Sequence, residues 1–145
     1  GLEKMKALKV CIDVSGSISQ KDFNIFYSYL YDLCNKYKVD GELITWDTDI
    51  TGIYSIKRQR ELKLNINNQV VGGGGTTPDV LFEYFNSKEC KVKPKMIIIF
   101  SDGDFFHEDL KVYEKKYKNI TLWGFLNSRN IPAPFGKVFY IDTKV

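Results

Sequence analysis

The residues of this chain best suited to chemistry are short and carry oxygen. Asp13, Ser15 and Ser17 alternate in DVSGS, a run of four glycines at 72–75 leads into threonines in GGGGTTPD, and Asp102 and Asp104 lie in SDGD. Two carboxylates and three hydroxyls (two serines and a threonine of the glycine loop) would make a hard ligand set if gathered at one point. Such a set suits magnesium, or manganese or calcium where the geometry relaxes, and nothing soft is present to favour zinc. Two carboxylates only cancel the charge of a divalent ion, so the ion would stay electrophilic toward one more oxygen. An Asp or Glu carboxylate on a partner protein would supply it, which is a means of binding and not of turnover.

Catalytic uses of the same residues fit less well. A serine nucleophile elbow needs G-x-S-x-G and a histidine partner, whereas the one histidine, His107, sits in DFFHED. GGGGTTPD lacks the lysine of a phosphate-binding loop. Magnesium-dependent phosphoryl transfer through Asp13 is an alternative, but it would call for a second carboxylate at position 15, where serine stands. With the aspartates engaged by an ion, no general base is left over, so the expectation is a protein that is not an enzyme. Asp47, Asp49 and Asp104 read either as turn formers or as the rim of the same site.

The elements that must position these groups follow from periodicity. Leu8–Val14 is a near-continuous apolar run that predicts a buried strand. Beyond it the period changes: Phe23, Phe26, Tyr27, Leu30 and Tyr37 make one stripe of a helix, begun by a capping box of Ser19 and Asp22. Gly41–Trp46 and Ile50–Ile56 predict two strands joined by a tight Asp47-Thr48-Asp49 connection. The polar segment 57–69 has no clear period. After the glycines, Thr77 is a plausible N-cap with Pro78 at the first helical position and Val80–Phe85 continuing the helix. Met96–Ser101 predicts a strand, Asp109–Lys118 a third helix, and Ile120–Phe125 and Val138–Ile141 the last strands, with a proline-bearing loop between them.

This order predicts one α/β domain over residues 1–145. Its sheet is doubly wound and mostly parallel, Rossmann-like, flanked by helices, with one antiparallel edge strand. In such a sheet ligands gather beyond the carboxyl ends of the strands where strand order reverses. Asp13, Ser15, Ser17, Asp102 and the glycine loop all fall on that edge. Composition agrees with a globular domain, at 43% apolar and 27% charged residues. The longest clean apolar run, Met96–Phe100, is of strand length and too short to span a membrane. Cys11, Cys34 and Cys90 are odd in number and widely spaced, which predicts reduced thiols, those of Cys11 and Cys34 buried, and a cytoplasmic setting. Gly1 in place of an initiator methionine suggests a piece of a longer chain. Basic clusters at Lys57–Arg60, Lys88–Lys95 and Lys111–Lys118 alternate with apolar residues and read as solvated faces. An RNA-associated scaffold is the second alternative function, with nucleic acid not the favoured partner.

DVSGS, GGGGT and SDG together resemble the D-x-S-x-S, threonine and aspartate signature of von Willebrand factor A domains, over Leu8 to about Ile141. The resemblance implies a metal-ion-dependent adhesion site formed by Asp13, Ser15, Ser17, Thr76 and Asp102. In it Ser15 and Ser17 would bind magnesium directly, Asp13 largely through water, and Thr76 and Asp102 directly or through water. It further implies a partner protein whose carboxylate completes the coordination. An ATPase is one candidate, because domains of this kind accompany ring-forming ATPases, and another part of the parent chain is a second. More narrowly, GGGGT and the hairpin aspartates resemble bacterial and phage proteins in which a von Willebrand A-like domain follows a metallopeptidase-like portion. That group often carries an aspartate where this chain has Thr77.

Overall fold

A computed structural model describes residues 7–37, 39–58, 76–126 and 130–143. In chain order it contains β1 (Leu8–Asp13), α1 (Gln20–Lys36), β2 (Gly41–Trp46), β3 (Ile50–Ser55), α2 (Asp79–Asn86), β4 (Met96–Ser101), α3 (Lys111–Tyr117), β5 (Thr121–Leu126) and β6 (Lys137–Ile141). The strands form a sheet in the order β3-β2-β1-β4-β5-β6. Every neighbouring pair is parallel except β2 and β3, which run antiparallel as a hairpin at one edge. The fold class expected from the sequence is the one observed.

Strand alternation sorts the core into two layers. Val10 and Ile12 face one side, where α1 lays Phe23, Phe26, Tyr27 and Leu30 against them. Cys11 and Ile44 face the other, against Leu81, Phe82 and Phe85 of α2 and Tyr117 of α3. α1 begins as its sequence requires. The Ser19 hydroxyl accepts from the Asp22 N–H and the Asp22 carboxylate accepts from the Ser19 N–H, so two orphan donors of the first turn are satisfied reciprocally.

Three local readings need correction. α2 has Pro78 at its N-cap and no side-chain cap, because the Thr77 hydroxyl is used elsewhere. The third helix is preceded by a 3-10 turn at His107–Leu110 and is correspondingly shorter. Cys34 is half-buried, whereas Cys11 and Cys90 are buried, and all three are free. Segment 59–75, which includes the glycine run, lies outside the described residues. One residue of β1 breaks the apolar run: Lys9 is buried, with its ammonium 2.5 Å from the Glu42 carboxylate. The Tyr84 hydroxyl meets both oxygens of Glu42 at 2.9 Å, so the buried charge has a hydrogen-bonded counter-charge. Among the described residues no helix is long and apolar enough to cross a membrane.

Candidate functional site

The chain winds outward from β1 to β2 and β3 on one side, then crosses to β4, β5 and β6 on the other. Strand order therefore reverses between β1 and β4. At the carboxyl ends of these two strands stand Asp13 and Ser101, followed directly by Ser15, Ser17 and Asp102. Parallel register pairs Ile12 with Phe100, so the next residues, Asp13 and Ser101, leave the sheet side by side.

Asp13 organises this edge. It is fully buried, and both of its oxygens accept hydrogen bonds: Oδ1 from the Ser15 N–H at 2.8 Å and Oδ2 from the Ser101 hydroxyl at 2.7 Å. Ser101 Oγ in turn accepts from the Gly103 N–H at 3.1 Å, which turns the chain after β4. Gly103 has φ +81, and a side chain there would stand 3.2 Å from the Phe125 ring, so glycine suits both the backbone and the space. Burial is the main influence on Asp13 and pushes its pKa up from 3.8 to about 6. The bonds from Ser15 and Ser101 oppose that rise, and the nearby Asp102 charge adds slightly to it.

The remaining predicted residues surround this centre unevenly. Ser15 is buried and its hydroxyl lies 3.2 Å from that of exposed Ser17. Asp102 is half-buried, and its Oδ1 accepts from the Asp104 N–H at 3.0 Å instead of bonding to Asp13 or a serine. Thr76 is half-buried on the adjoining loop, and no hydrogen bond ties it to the other four. The next residue holds that loop to the hairpin: Thr77 N–H donates to Asp47 O at 3.0 Å and Thr77 Oγ1 to Thr48 O at 3.2 Å. Asp47 closes its own turn, accepting from the Asp49 N–H at 3.1 Å. Its turn role is thus established. His107 is held by Gly103 O at 3.0 Å and stacks on Phe105 at 4.7 Å between ring centres.

The expected magnesium cofactor, with manganese or calcium in its place, is corrected. Among the described residues no group of three or more His, Cys, Asp or Glu side chains is gathered so as to hold a metal ion. Of the five predicted ligands only Asp13 and Asp102 are carboxylates. Asp13 has both oxygens committed to hydrogen bonds in a buried place that disfavours its charge, and Asp102 bonds its own turn. A partner carboxylate completing an ion's coordination loses its basis along with the ion.

One contributor was missed in the sequence: Ser101, although its place beside Asp13 follows from strand register. Phe106, four residues after Asp102, is 83% exposed, and no periodicity singles it out.

Comparison with known proteins gives the context. The model of a family described as VWA-like domain (DUF2201) matches residues 8–142. No curated protein matches the chain. Among solved structures, the chain is similar to an aerotolerance-related membrane protein from Bacteroides fragilis NCTC 9343, crystallised with multiple mutations to serines. The TM-score is 0.58 at 11% identity, over 82% of this chain and 65% of that one. At that identity the likeness concerns the fold alone, and the chain spans about 65% of that structure's length.

Proposed function

The chain belongs to the VWA-like domain family, and from that premise we propose that it is a protein-binding module. Its docking surface is the carboxyl edge of the sheet, with Ser17, Thr76 and Asp102 as contact residues, buried Ser15 beneath them, and Asp13 as the buried group that holds the turn after β1 against the end of β4. The observation that carries this reading is the convergence of separate segments on one edge. Asp13 ties the turn after β1 to the end of β4, and Thr77 ties the loop before α2 to the β2–β3 hairpin. Such cross-links hold short polar groups in fixed relative positions, which lowers the ordering cost of binding.

The surface so built presents hydroxyls together with the carboxylates of Asp49 and Asp102, and carries exposed Phe106 on the segment after Asp102. A partner offering arginine or lysine beside an apolar pocket matches it, with Phe106 as the aromatic anchor. A binding role also agrees with the engagement of the ionisable groups. Asp13 accepts two hydrogen bonds and His107 is held by a backbone carbonyl, which leaves neither placed as a free general base. Other portions of a longer parent chain, and ring-forming ATPases, are the first partners to test, in a cytoplasmic setting.

The experiment compares retention of such a partner on the immobilised protein and three variants. Ser17→Arg places a bulky cation on the edge, Phe106→Ala removes the anchor, and Lys111→Ala alters a surface ion pair with Glu108 away from the edge. Loss of the partner with the first two and retention with the third supports the reading. Equal retention by all four proteins refutes it.

A further inference from the structure

The opposite end of the sheet has a different chemistry. A cavity of about 640 Å³ opens at the amino ends of β4, β5 and β6, lined by Lys95, Lys118 and Lys137, with Met96, Ile120 and Gly136 among its other walls. The three lysines come from three separate places in the chain: the residue before β4, the end of α3 and the first residue of β6. No acidic side chain lines the cavity. Among the described residues none of the three ammonium groups pairs with a carboxylate, whereas Lys9, Lys57 and Lys111 all do.

Lys118 has a local reason to be where it is, since a cation at a helix C-terminus complements the carbonyls there. Lys95 and Lys137 have no such reason. Neighbouring parallel strands lie roughly 4.8 Å apart, so the starts of β4 and β6, two strands removed, are separated by roughly 10 Å. Three like charges around a concavity of this width repel one another in the empty protein and focus a positive potential into it. The concavity is also built closely. Gly136 has φ +70, and a side chain there would come within 2.5 Å of Thr121 O and 2.9 Å of Lys118 O. The backbone of the loop before β6 therefore packs directly against the start of β5.

The cavity's size is in the ordinary range for small-molecule sites, and it is concave, unlike the open face that tracks a nucleic-acid backbone. Half-exposed Met96 and half-buried Ile120 add an apolar wall beside the ammonium groups. We propose that this cavity binds a small polyphosphorylated anion, at the end of the sheet opposite the docking edge. The shared chemistry is a chain of phosphates spanning the lysines, and it has two possible sources: an inorganic polyphosphate, or a nucleotide whose base rests on Met96 and Ile120.

Calorimetric titration at low ionic strength, without divalent ions, tests this with sodium tripolyphosphate and with ATP as probes. The proteins are the unaltered chain, a Lys118→Ala/Lys137→Ala double variant, Lys137→Arg, and Lys111→Ala as a control that removes one charge outside the cavity. Each exposed charge pair of this kind contributes modestly, so the double variant should bind roughly tenfold more weakly. Lys137→Arg and Lys111→Ala should bind as the unaltered protein does. Equal binding of the two probes assigns the site to the phosphate chain alone, and tighter binding of ATP assigns it to a nucleotide. The proposal is overturned if neither probe binds, or if Lys111→Ala weakens binding as much as the double variant. It is equally overturned if an oligoribonucleotide binds far more tightly than both probes with affinity rising with its length.

Discussion

Replacing Asp13 with asparagine tests the electrostatics of the docking edge directly. The side chain keeps its shape: Oδ1 can still accept from the Ser15 N–H, and the new amide can donate to Ser101 Oγ. What changes is that the group no longer ionises. In the folded protein the Asp13 pKa is raised from 3.8 to about 6, chiefly by burial. A carboxyl group whose folded pKa is raised binds its proton more tightly in the native state. Its stabilising contribution is therefore full below about pH 3.8 and is lost as pH rises through about 6. A shift of about two units corresponds to roughly 3 kcal/mol, a cost present in the unaltered protein at pH 7 and absent from Asp13→Asn. Urea denaturation of both proteins in a series from pH 3.5 to 7.5 isolates this term, since all other titrating groups are common to the two. Any constant offset from the rearranged Ser101 bond is the same at every pH. The variant should gain on the parent between pH 4 and 6 and remain ahead by up to roughly 3 kcal/mol at pH 7, or about 9 °C in melting temperature for a chain of this size. A gap that is flat across the series, or that moves against the variant as pH rises, would refute the argument that burial dominates at Asp13.

The other predictions concern separate parts of the molecule. Millimolar magnesium or excess EDTA should leave the melting temperature unchanged, because a ligand of the native state raises it by linkage; a rise with magnesium would overturn the correction made to the cofactor. Lys9→Met should destabilise the fold by about 2 kcal/mol in urea denaturation, because it leaves the half-buried Glu42 carboxylate without its counter-charge. A loss under about 1 kcal/mol would mean that the Tyr84 hydroxyl suffices as partner. Ser19→Ala removes one half of the capping box of α1 and should cost about 1 kcal/mol in the same assay, independent of the change at Lys9.

Much of the architecture was legible in the sequence because its signals are local and strong. The α1 stripe from Phe23 to Leu30 and its Ser19–Asp22 cap, the β2 boundaries and the near-continuous apolar runs of β1 and β4 all correspond to observed elements, whereas Tyr37, expected on the same stripe, caps the helix end and is exposed. The parallel sheet with one antiparallel edge followed from the order of these elements. Less was legible where a polar side chain serves a distant segment. Thr77 reads locally as an N-cap, yet its hydroxyl is drawn 29 residues away to the hairpin. Lys9 reads as an interruption of a strand, and its partner Glu42 is visible only once β1 and β2 pair with Lys9 opposite Glu42. At the site, spacing places Asp13, Ser15 and Ser17 in one turn, where the Ser15 N–H bonds to Asp13 and the two serine hydroxyls lie 3.2 Å apart. It could not reveal that Ser101 and the Ser15 N–H occupy both Asp13 oxygens, because that depends on the register of β1 against β4.

That arrangement determines what kind of partner the edge can accept. With a divalent ion in place, Asp13 and Asp102 would only cancel its charge, and a partner carboxylate would be drawn to its open coordination position. Without one, Asp102 and Asp49 remain as negative groups beside neutral hydroxyls, and Asp13 lies beneath them with its charge disfavoured by burial. A carboxylate would then be repelled, and an arginine or lysine attracted. The lysines of the opposite cavity would repel that same cation, so the two ends of the sheet select ligands of opposite sign. A partner peptide synthesised with arginine, and again with glutamate in its place, therefore distinguishes the two descriptions of the edge. Binding of the arginine form, weakened by Asp102→Asn and by added salt, follows from the hydrogen-bonded edge. Preference for the glutamate form would require a positive centre between Asp13 and Asp102, and the electrostatic reading of the docking surface would fail.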